Sequence, residues 1–131
     1  MKHEYPKSLR TTFLIHTFVA GFFGVVFSLF PVQNGALTGM EVTEPFIHRL
    51  MGVTFFSTIA LTSWWASRAK SWEEIKITLQ MEIVFPFLGA IVVLWGLLSG
   101  TFSPFWWLIF LILVGFWAVF TFLYVKHRNQ A

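Results

Sequence analysis

Residues 75–99 read IKITLQMEIVFPFLGAIVVLWGLLS, and Lys76 and Glu82 are the only charged side chains in the stretch. A run this long and apolar suits a helix through the bilayer, whose hydrocarbon layer of about 30 Å takes about 20 residues at 1.5 Å each. Hydrocarbon offers the backbone no hydrogen-bond partner, so the segment must be helical, and nothing in the chain has the short alternating pattern of a barrel.

Working outward, three more runs have the same character, at residues 9–30, 45–66 and 104–124. Pro31, Asn34, Gly35 and Gly39 break the chain after the first. Thr43 is placed to cap the second, with Glu44 and Pro45 in its first turn; Ser71 and Glu74 have capping-box spacing before the third; Ser103 and Pro104 open the fourth. The expected fold is all-α: one domain over residues 1–131, a four-helix up-and-down transmembrane bundle joined by short loops.

Composition agrees. The 131 residues are 56% hydrophobic and 11% charged, against roughly 25% charged in soluble domains, and the mean hydropathy is +0.72. The absence of cysteine excludes disulfides, thiol relays and thiolate metal sites. The net charge of +3 does not point to nucleic acid, because the cations sit in groups beside the apolar runs. Lys2, Lys7 and Arg10, then Arg68, Lys70 and Lys76, then Lys126 and Arg128 fall on one side, and only Arg49 on the other. By the positive-inside rule both termini and the 67–74 loop are expected in the cytoplasm. The first run exceeds the roughly 7–15 residues of a signal-peptide core and contains His16, so a retained span is expected. With no organelle-targeting segment recognisable, the expected location is a bacterial or archaeal inner membrane.

Ionisable residues inside spans are costly, about 2.5–3.5 kcal/mol at the helix centre, and point to function. Glu82 and His16 each lie about seven residues from the cytoplasmic end, roughly 10 Å deep. From Glu82 a seam of Pro86, Gly89, Val93, Gly96 and Gly100 follows at helical spacing, and His16 continues through Ala20 and Gly24. Matching seams are Gly52, Phe56, Ala60 and Ser63 in the second run, and Leu111, Gly115, Ala118 and Phe122 in the fourth. Pro86 removes the amide that would bond the Glu82 carbonyl, marking a kink. The candidate site is therefore Glu82 as proton carrier or hydrogen-bond anchor, His16 as its partner, and Thr58 and Thr62 as lining. The competing reading is a polar tie between helices. A second candidate cluster, Glu41, Glu44, His48 and Arg49, stands at the outer edge, where Arg49 either pairs with an acid, holds an anion or reaches the interface.

Other chemistry does not assemble. His16 and His48 differ in depth, so one haem cannot take both, and His3 and His127 lie in the tails. Glu82 and His16 fall short of the ligands zinc requires, so no metal site, cofactor or catalytic residue is assigned. Seventeen phenylalanines and seven tryptophans suit lipid contact and packing, or a quinone-like ligand bonded by His16.

The segments Arg49-Leu50-Met51-Gly52 and Ser63-Trp64-Trp65-Ala66, which open and close the second run, give the chain a layout that resembles the small DoxX-like four-helix membrane families. That resemblance implies a compact bundle able to serve as a subunit of a larger membrane enzyme. The expected role is an accessory or scaffolding subunit, or a homo-oligomer, whose partners are the bilayer and other membrane subunits. The alternative is a proton-coupled small-molecule transporter or a lipophilic-ligand binder that uses Glu82 and His16.

Overall fold

A computed structural model describes residues 5–128, so Lys2 and His3 lie outside the described residues. Among those described every regular element is a helix: α1 (Lys7–Leu29), α2 (Pro31–Thr38), α3 (Pro45–Thr54), a π turn (Phe55–Ala60), α4 (Leu61–Ser67), α5 (Trp72–Leu98) and α6 (Trp106–His127). Three of them, α1, α5 and α6, are long and apolar enough to cross a membrane.

The second apolar run is divided rather than broken. Thr54, Phe55, Ala60 and Leu61 all keep right-handed helical dihedrals, so residues 45–67 form one helical rod with a wide turn in its middle. Its hydroxyls supply a cause. Thr54, Ser57, Thr58 and Thr62 each donate to the carbonyl four residues earlier, at 2.9, 2.7, 2.6 and 2.5 Å. Such back-bonding competes with the backbone ladder and loosens the helix where it is concentrated.

Two helix starts differ from expectation. The rod begins at Pro45 with Glu44, not Thr43, at its N-cap and no side-chain cap bond. The last helix begins at Trp106, because the Ser103 hydroxyl turns away and donates to the Thr38 carbonyl. That bond ties down α2, a short helix in a segment expected to be loop; it ends at Gly39, whose φ of 69° lies in the left-handed region. Ser71 and Glu74 do meet, Oγ donating to Oε1 at 3.1 Å, and α5 starts directly after.

The helices pack as two pairs, α1 against the 45–67 rod and α5 against α6. Glycine sets the closest approach in the first pair: a Cβ on Gly52 would lie 2.6 Å from the Gly24 carbonyl oxygen and 2.5 Å from the Ser28 amide. The pairs join at the end rich in Lys and Arg, hereafter the basic end, where Leu9, Phe13, Ile75, Leu79 and Phe120 are completely or almost completely buried. Toward the opposite end the buried core thins to Ala20, Ile59 and Ala60. The two inner seams around His16 and Glu82 face inward, but the fourth-run seam does not. Leu111 and Phe122 are each 63% exposed and Gly115 has no neighbour, while Phe120 and Leu123 take the inward positions. Phe56 of the second seam is likewise exposed.

Candidate functional site

Glu82, His16 and Ser63 meet between the two helix pairs. α1 carries His16 one turn after the buried Phe13, α4 carries Ser63 just past the π turn, and α5 carries Glu82 one turn before Pro86. All three are buried. Ser63 Oγ donates to Glu82 Oε1 at 2.8 Å, His16 Nδ1 lies 3.1 Å from Ser63 Oγ, and the same nitrogen is 3.3 Å from Glu82 Oε2.

This geometry fixes where the protons sit. A serine has one hydroxyl proton, and with that proton on Glu82 the His16 Nδ1–H must be the donor toward Ser63 Oγ and Glu82 Oε2. In the neutral ring Nε2 then holds the lone pair and is the free acceptor. Phe116 and Phe120 flank the ring, with centroids at 4.4 and 5.4 Å.

His16 also forms part of the wall of an apolar cavity of about 90 Å³. The remaining lining is Val19, Ala20, Phe23 and Phe27 of α1, Phe55 and Ile59 of the π turn, Phe85 and Pro86 of α5, and Ile109, Ile112, Leu113 and Phe116 of α6. Among these side chains only that of His16 has a polar atom. The thinning of the core away from the basic end thus leaves a hollow whose single polar group is backed by a serine and an acid.

The other sequence candidates fall elsewhere. Thr58 is exposed and Thr62 half-buried, and their hydroxyls are spent on their own helix, so neither lines the cavity. The wide turn places Ile59 and Ser63 inward in their stead. Pro86 is buried in the cavity wall and α5 continues through it. At the outer edge no cluster forms: Glu41, Glu44 and Arg49 are exposed, and among the described residues Arg49 makes no ion pair. His48 is buried instead, stacked on Phe27 at 6.2 Å with Nδ1 3.5 Å from the Glu44 carbonyl. Adjacent helix positions point about 100° apart, so burying His48 turns Arg49 outward. Among the described residues no three of His, Cys, Asp or Glu come together as a metal site would require.

Ser63 is the member the sequence reading placed on a seam but not in the site. Its signal was a small hydroxyl at a seam position, one that a packing role explains equally well. The chain matches no protein-family model, no curated protein and no solved structure.

Proposed function

We propose that this chain is a small four-span membrane protein that binds a lipophilic small molecule in the central cavity, with His16, Ser63 and Glu82 as its hydrogen-bonding and proton-accepting group. The four spans are α1, the 45–67 rod, α5 and α6. Both termini lie in the cytoplasm of a bacterium or archaeon, and the layout remains similar to that of the DoxX-like bundles. One observation carries the reading: the only polar side chain facing an otherwise apolar cavity belongs to a buried three-residue relay. Apolar hollows with a few convergent polar groups are the usual form of a small-molecule site.

Binding is favoured over transport because the basic end is closed. Leu9, Phe13, Ile75, Leu79 and Phe120 are packed there between the relay and the cytoplasmic surface. A second reading, an accessory subunit or homo-oligomer, is compatible with the first and is favoured by the outward face of α6, where Gly115 stands between exposed Leu111 and Phe122.

Native mass spectrometry of the protein extracted gently from its own membrane tests both. A stoichiometric lipophile that is present on the wild type and lost from His16→Ala supports the binding site. Wild type and variant carrying the same molecules overturns it. A larger partner or a second copy retained in the same spectrum supports the subunit reading, and a bare monomer overturns it.

A further inference from the structure

The relay, the cavity and the surface of α6 together specify the ligand more closely. We infer that it is a hydroxyl-headed amphiphile of the alkylphenol or hydroquinone type, whose O–H donates to His16 Nε2 and whose tail leaves between α1 and α6 past Phe116. This rests on the binding reading given above.

The head follows from the proton arrangement. Ser63 gives its proton to Glu82, so Nδ1–H faces that pair and Nε2 is left as an acceptor. A ligand carbonyl or ether would meet a lone pair, whereas a hydroxyl completes the bond. A proton passed from that hydroxyl to Nε2 is matched by movement of the Nδ1 proton toward Glu82, so no net charge is left on the ring.

The tail follows from space. The cavity of about 90 Å³ is smaller than the roughly 150 Å³ hollow that accepts benzene, so it has no room for a ring and a chain together. A lipid-facing groove runs along α1 and α6, and its lining shares Val19, Ile112 and Phe116 with the cavity. Those three side chains are all that separate the two spaces. Phe116 also covers the imidazole at 4.4 Å, so one rotation of its ring both joins groove to cavity and uncovers His16. Gly115 widens the groove at the same level, because a Cβ there would have no neighbour within 4 Å. A single alkyl or prenyl chain in contact with the bilayer fits that path.

The test uses calorimetric titration of the full chain in lipid nanodiscs. The probes are 4-decylphenol, its methyl ether 4-decylanisole, and the tail-less 4-methylphenol. On the wild type 4-decylphenol should bind about tenfold more tightly than the ether, and His16→Ala should remove that difference. Gly115→Trp, which fills open groove and touches no buried atom, should weaken 4-decylphenol about tenfold and leave 4-methylphenol unchanged. Phenol and ether binding equally overturns the hydroxyl head, with no variant needed to show it. An unaltered 4-decylphenol affinity in Gly115→Trp overturns the tail path. In both of those cases the cavity reading stands, whereas a wild type that binds none of the probes overturns the cavity reading and this inference with it.

Discussion

Removing His16 should cost more than removing Glu82, although the two share one contact. In Glu82→Leu the Ser63 hydroxyl loses its acceptor, but it sits on a helix and can rotate to the carbonyl four residues earlier, as Thr54, Ser57, Thr58 and Thr62 already do. His16 Nδ1 then still has Ser63 Oγ, 3.1 Å away, and nothing is stranded. The loss is that of one interhelical polar bond, roughly 0.6–1.7 kcal/mol in membrane proteins. In His16→Leu a carboxyl group that is 4% exposed keeps only the 2.8 Å bond from Ser63, with no cationic or imidazole partner at Oε2. Stranding a buried charge in this way costs about 3–5 kcal/mol. The double variant removes the stranded acid as well and should return to within about 1 kcal/mol of Glu82→Leu, because replacing both partners by apolar groups is close to neutral. Equilibrium unfolding in mixed detergent micelles, run on the three variants and the wild type, reads these differences directly. Equal losses for the two single variants, or a double variant whose loss is their sum, would refute the arrangement of protons argued above.

Three other perturbations separate parts of the structure. Gly52→Ala puts a Cβ against the backbone of Gly24 and Ser28 and should lose about 1–3 kcal/mol in the same assay, while Gly21→Ala, 3.9 Å from Ala60, should be close to neutral. Thr58→Val with Thr62→Val should leave ligand retention in native mass spectrometry unchanged, since both hydroxyls are satisfied within the rod; loss of ligand would place them in the site after all. Tyr5, ahead of the first span, has its phenol pushed well above the usual range by burial, with the Arg10 guanidinium partly opposing the effect. A raised folded-state value means that its stabilising effect is intact below the unfolded value of about 10 and is lost as pH rises beyond it. Stability should therefore fall in the alkaline range above about pH 10, and Tyr5→Phe should flatten that fall in a pH series of unfolding curves; an unchanged slope would count against the burial.

Legibility followed chemical contrast. Around Glu82 and His16 a single ionisable group in an apolar helix identifies an inward face, and the positions three and four residues on extend it, so the seams through Pro86, Val93 and Gly96 and through Ala20 and Gly24 face inward as the spacing implies. α6 offers no such contrast. Nearly every side chain in it is apolar, lipid and protein interior are equally acceptable to each, and the small residues at Gly115 and Ala118 carry no preference for either. The outer cluster failed for a related reason: residues 41, 44, 48 and 49 are neighbours in the chain, but a helix start separates them onto different faces.

The sequence by itself determined that the chain is helical and apolar, because hydrocarbon leaves the backbone no alternative and the runs are long enough to apply that constraint three times without interruption. It also determined which two ionisable groups share a depth, since rise per residue converts position into distance along a helix. Only the tertiary structure decided that Ser63 joins them while Thr58 and Thr62 turn away, because a π turn resets the face of everything beyond it and back-bonding hydroxyls are not a sufficient signal for its position. Only the tertiary structure placed an apolar hollow beside His16, since a cavity is a mismatch between the volumes that four helices bring to one level, and no single helix contains that sum.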